Sequence, residues 1–190
     1  MRRTPPVFLP SIALPVAFPE GHDFYQGGHR RCRFFISYRH EERLHAFILN
    51  ERLLLEGITA QLVEFGADGH TREDAHGSAC QQLNDATHWI GLLPAEAADD
   101  WWTARLLEAA VTANRRVSFY RSGDCELLEQ LDRWPVMRER AHIDLFVRAY
   151  HDECTFQRAM ILPAGHRASV DRDNADFFHA DLKAKIRRGF

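Results

Sequence analysis

Cys32-Arg33-Phe34-Phe35-Ile36-Ser37-Tyr38-Arg39-His40-Glu41-Glu42 decides the fold: an apolar, β-prone run stops at Ser37-Tyr38 and passes straight into a charged segment able to open a helix. The pattern predicts a buried parallel strand over 32–38 that delivers polar side chains to its carboxyl end. In open α/β sheets ligands sit in the crevice outside the strand carboxyl ends, which makes Ser37, Tyr38 and Arg39 candidate site residues. The competing reading is that these residues simply begin a loop.

Working outward, residues 42–56 read as a helix with Leu44, Phe47, Ile48, Leu54 and Leu55 on one broad apolar face, ended by Gly57. Residues 58–65 are a short β-prone run and 66–69 a loop by composition. Thr71, with Asp74 three residues on, is placed to cap a helix reaching about Thr87. A third buried strand over 89–93 is stopped by Pro94. A helix over about 99–114 follows, with Asp99 and Asp100 near its start, and 117–120 is a fourth strand. Strict strand-helix alternation needs crossover connections, and a parallel sheet covered by helices is the economical solution. The expected class is therefore α/β, a flavodoxin-like doubly wound parallel sheet with helices on both faces.

Beyond Arg121 the pattern weakens. Leu127, Leu128 and Leu131 suggest a helix, Pro135 interrupts, and 143–147 fits either a fifth strand or part of another helix. From Asp176, Phe178, Leu182 and Ile186 recur every four residues, while Lys183, Lys185, Arg187 and Arg188 suit the C-terminal end of a docking helix. The expected organisation is a Pro-rich arm over 1–30, the α/β domain over 31–150 and a helical extension over 151–190.

A chain of 190 residues buries enough surface to fold without a disulfide or metal. Its net charge of -3 gives no overall reason to bind nucleic acid or an anionic membrane. Cys32, Cys80, Cys125 and Cys154 are widely spread with no Cys-x-x-Cys pair, as expected of reduced, packed thiols in a cytoplasmic protein. Arg2-Arg3 followed by an apolar stretch superficially resembles a secretory signal. Pro5, Pro6, Pro10, Pro15 and Pro19 break any helix there, so the segment reads as an extended arm carrying Phe8, Leu9, Ile12, Leu14 and Phe18. No stretch is apolar and long enough to span a bilayer.

Phe35-Ile36-Ser37-Tyr38-Arg39-His40-Glu41-Glu42 resembles the Phe-Ile-Ser-Tyr-Arg-x-x-Asp opening of Toll/interleukin receptor (TIR) domains of the bacterial kind. The resemblance covers about residues 32–121, where the order of helix, strand, glycine-bearing loop, strand and Trp-rich helix also matches. It implies an intracellular signalling or immune-defence domain that recognises NAD or a related nucleotide. It also implies possible NAD glycohydrolase or cyclase chemistry with NAD as substrate and no further cofactor. Family members that cleave NAD use a glutamate four residues beyond a tryptophan on the helix after the third strand. Aligning Trp101 on that tryptophan puts Arg105 at the glutamate position, and aligning Trp102 puts Leu106 there. Neither is a carboxylate, and Pro94 stands where a serine is often found. Glu108, three residues past Arg105 and about 4.5 Å further along the helix, is the nearest substitute and the sole catalytic candidate. Arg105 could instead bind a phosphate, with Trp101 bordering the crevice. Two other functions fit the resemblance: a non-catalytic module that self-associates or docks other TIR domains through the 66–71 loop, and a nucleoside deoxyribosyltransferase-like enzyme.

The remaining constellations point to no chemistry. His40 and His45 are five apart and His70 and His76 six apart, spacings that do not set two imidazoles on one helical face as metal ligands. Asp171-Arg172-Asp173-Asn174 lacks the glycine and the terminal glutamate of a calcium loop. Gly66 and Gly69 would let backbone amides approach a phosphate, but a loop turn explains them equally.

Overall fold

Phe34–Arg39 form the first strand, β1, and a 3-10 turn over His40–Glu42 leads directly into helix α1 (Arg43–Leu55), as the opening stretch predicts. The computed structural model describes residues 34–65, 72–93, 101–121, 131–159 and 167–189. The N-terminal arm, the 66–71 loop and Pro94 lie outside them. Strands β2 (Ala60–Phe65), β3 (His88–Leu93), β4 (Arg116–Arg121) and β5 (Val136–Met137) complete one five-stranded, all-parallel sheet in the order β2-β1-β3-β4-β5. This is the flavodoxin-like doubly wound arrangement.

Alternation along β1 divides the core in two. Phe34, Ile36 and Tyr38 meet α1, α4 (Arg140–Ala159) and α5 (Arg167–Arg188) on one face. Phe35 meets α2 (Arg72–Asp85) and α3 (Trp101–Thr112) on the other, with Trp89 and Phe119 at the centre. Gly91 lies between those two rings: a Cβ there would stand 3.0 Å from Phe119 and 3.2 Å from Trp89.

Gly57 ends α1 as expected. Its φ of +76° is one a side chain resists, and its N–H donates to the Leu54 carbonyl while the Ile58 N–H reaches back to Leu53. The apolar face assigned to α1 needs correction. Ala46, Leu49 and Leu53 are buried, whereas Leu44, Phe47, Ile48, Leu54 and Leu55 are all exposed. The helix is apolar on two opposite sides, and the side with the small Ala46 is the one that lies against the sheet.

Residues 143–147 are helical, not a strand. Ile143, Phe146, Val147, Tyr150 and Cys154 are buried at helical spacing within α4. The fifth strand is instead the two-residue β5 after Pro135, whose carbonyl accepts from the Phe119 N–H at 2.9 Å. Helix α4 runs unbroken through residue 150, and α5, starting at Arg167 rather than near Asp176, places Phe178 and Leu182 in the same core as β1. Residues 171–174 lie within α5. No helix among the described residues is long and apolar enough to cross a membrane.

Candidate functional site

Strand β2 lies on one side of β1 and β3 on the other, so the winding reverses between β1 and β3. At such a switch point the loops beyond the strand carboxyl ends diverge and leave a crevice. Among the described residues, Arg39, His40, Glu64, Phe65 and Arg121 mark this carboxyl edge.

Neighbouring residues on a strand face opposite ways, and Ser37 and Tyr38 accordingly separate. Ser37 is buried, and its Oγ accepts a hydrogen bond from Trp89 Nε1 at 2.9 Å. Tyr38 lies on the α1 face with its ring in the core, and its hydroxyl donates to Glu64 Oε2 at 3.4 Å. The expected single wall of Ser37, Tyr38 and Arg39 is therefore divided. Ser37 serves an indole, Tyr38 reaches the edge through its hydroxyl, and Arg39 ends the strand partly exposed.

Glu64, which periodicity does not single out, is a carboxylate at this edge. It lies in register with Tyr38, and His40 Nδ1 donates to its Oε1 at 2.6 Å. That hydrogen bond holds the Glu64 carboxyl below its usual range, against the opposing effect of burial, and the charges of His40 and Arg43 act with it. Burial and the adjacent carboxylate push the Tyr38 phenol up. At neutral pH the pair is thus an ionised acceptor beside a protonated donor.

On the opposite face, Trp102 stacks on Phe65 with centroids 4.7 Å apart, tying the start of α3 to the end of β2. Trp101 is partly exposed and meets Trp102 edge-on at 5.1 Å, and the Arg105 guanidinium lies 5.9 Å over the Trp101 ring. The two tryptophans point different ways, Trp102 packing on Phe65 and Trp101 bordering solvent. Glu108 is exposed on the same outer stripe as Trp101 and Arg105. It lies about 10 Å beyond Trp101 along a helix that runs away from the carboxyl edge. Leu106, the other occupant of the family glutamate position, is in the core.

No protein-family model matches this chain, and a search of curated proteins finds no match.

A second polar group sits at the opposite, amino edge of the sheet. His88 Nε2 donates to Glu153 Oε2 at 3.1 Å, while its Nδ1 accepts from the Thr87 hydroxyl at 2.9 Å. Arg116 Nε donates to Glu153 Oε1 at 2.5 Å. Burial lowers the His88 pKa more than Glu153 raises it, so the ring is neutral. Burial raises the Glu153 carboxyl, but His88 and Arg116 outweigh that and hold it low. These residues fasten α4 to β3 and β4, far from the switch point.

Among the described residues, no group of three or more His, Cys, Asp or Glu side chains is arranged to hold a metal ion. His40 and His45 each donate to a carboxylate, His45 to Glu42 Oε2 at 2.9 Å. His70 and the His76 side chain lie outside the described residues. Cys154 is buried, Cys80 partly so, and burial pushes the Cys80 thiol up, away from reactivity. Cys32 and Cys125 lie outside the described residues. The same signal that singled out Arg39, a polar residue ending a buried strand, would have found the buried Arg121.

Proposed function

We propose that this chain is a TIR-like signalling or defence module that recognises NAD or a related nucleotide at the carboxyl edge of its sheet. The observation that carries this reading is the Glu64 carboxylate at the end of β2, ordered by His40 and Tyr38 beside the switch point. Its lone pairs exceed what those two donors use, and a pair of ribose hydroxyls would naturally donate to the remainder. Arg39 brings a guanidinium suited to a phosphate, and the exposed Trp101 ring offers a stacking surface for a base. Where the bound dinucleotide is cleaved, the bond broken is N-glycosidic. Glu64 then takes precedence over Glu108 as the carboxylate facing the sugar, because Glu108 lies outward and along α3.

Calorimetric titration of NAD into wild type, Glu64→Gln, Arg105→Glu and Glu108→Ala, with products resolved by chromatography, tests this. Glu64→Gln is expected to weaken binding roughly 10- to 100-fold, the worth of a charge-assisted hydrogen bond, while Glu108→Ala binds as wild type. Absence of NAD binding at millimolar concentration, or Glu64→Gln binding unchanged, overturns the reading. Turnover lost in Glu108→Ala alone would return the catalytic role to that residue.

A further inference from the structure

Helix α1 carries a second apolar face that the sheet does not use. Leu44 is 68% exposed, Ile48 56% and Leu55 80%, with Phe47 and Leu54 exposed beside them. Together they expose on the order of 500 Å² of apolar surface, near the upper range for a monomer's largest patch. The sequence ahead of β1 has a matching edge. Leu9, Ile12, Pro15 and Phe18 recur every three residues, the period of a polyproline II strand, and Pro10, Pro15 and Pro19 favour the φ that such a strand needs. We infer that residues 12–18 dock in cis along the outer face of α1, parallel to the helix, with Phe18 at Leu55 and Ile12 at Leu44.

Connectivity and length select that occupant. Helix α1 returns antiparallel to β1, so Leu55 lies toward the amino edge, where Phe34 pairs in register with Ala60. The short connection from Leu55 to Ala60 and one strand spacing put Phe34 within roughly 22 Å of Leu55. The chain from Phe18 to Phe34 reaches roughly 50 Å when extended, so it spans that gap with slack. Tethering then presents the apolar edge to the helix at an effective concentration on the order of millimolar. The contact lengths agree as well. Ile12 to Phe18 is two turns of polyproline II, about 19 Å, and Leu44 to Leu55 is about 17 Å of α-helix. Pro15, which has no N–H to leave unsatisfied against an apolar surface, falls midway, beside Ile48. A segment stiffened by proline also loses less conformational freedom on docking. The inference does not depend on nucleotide recognition, since this face lies on the side of α1 opposite Ala46, Leu49 and Leu53.

The test is cross-linking within the full chain by a short bis-maleimide, with linked positions mapped by mass spectrometry and far-UV circular dichroism confirming that each variant is folded. Ala17→Cys and Glu56→Cys sit beside the ends of the contact and leave its apolar residues intact. Together they should link within one molecule at least about tenfold faster than Ala17→Cys with Val111→Cys, which is exposed on α3 across the sheet. Ile12→Asp or Leu55→Asp, added to the first pair, should slow its linkage by a similar factor, because each sets a carboxylate against the apolar contact. Equal rates for the two pairs overturn the inference, as does linkage indifferent to both aspartates. It is overturned equally if positions 17 and 56 link only between molecules, seen as a covalent dimer when the two single variants are mixed.

Discussion

Ser37 Oγ and Trp89 Nε1 form a buried bond between β1 and β3, the two strands that flank the switch point. An indole N–H has a single proton to give, and the Ser37 hydroxyl is the acceptor it meets here. Ser37→Ala is therefore expected to destabilise the protein by about 1–3 kcal/mol, the cost of leaving that donor buried and unsatisfied. Urea unfolding measures it as a lower midpoint with an unchanged slope. An unaltered midpoint combined with weaker NAD binding would instead make Ser37 a ligand contact. Sequence alone could mark Ser37 as polar at a strand end but not tell which neighbour claims its lone pairs. Glu64 was illegible for the complementary reason. Its strand reads as a mixed run, and its importance comes from being in register with Tyr38, 26 residues away in the chain.

At the level of elements, legibility followed how unambiguous the periodicity was. Strands β1, β3 and β4 are short buried runs with sharp ends, and Gly57 is a helix stop because only a residue tolerant of positive φ fits there. Helix α1 defeated the same logic by being apolar on two sides. Periodicity finds stripes, and it cannot say which stripe meets the sheet. Strand β5 is too short to leave a pattern, and α4 displaced it because its apolar residues also suit a strand until the spacing to Tyr150 and Cys154 is counted. Gly91 tests how tightly β3 is packed. Both rings that a Cβ would approach, Phe119 and Trp89, are completely buried and have no room to retreat. Gly91→Ala should accordingly cost about 1–3 kcal/mol through overpacking, despite the gain in strand propensity. Thermal unfolding checks this, and a variant as stable as wild type would mean that the layer between β3 and α3 repacks.

Across the whole molecule, the amino edge of the sheet is fastened by histidines that must stay neutral, and this makes the fold sensitive to acid. His179 on α5 accepts a hydrogen bond from the Val117 N–H of β4 at 2.7 Å through Nε2, an atom that cannot accept once protonated. Burial pushes its pKa down to about 4 from an ordinary 6.5; Asp176 and Glu153 pull it upward, and Arg116 and Arg133 add to the depression. The unfolded chain takes up a proton near pH 6.5 while the folded chain refuses it until about pH 4. Stability contributed by the neutral ring is thus complete above pH 6.5 and is lost as pH falls through that window, by up to roughly 3 kcal/mol. His88, also depressed by burial, acts in the same direction, whereas Glu153, whose carboxyl is held low, loses its contribution only below its ordinary value of 4.5. Unfolding temperature measured between pH 7 and pH 4.5 should therefore fall more steeply for wild type than for His179→Gln, whose amide oxygen can still accept from Val117 but does not titrate. Parallel curves would show that α5 is not held to β4 by a titrating ring, and an imidazole resonance of His179 that shifts near pH 6.5 would say the same independently.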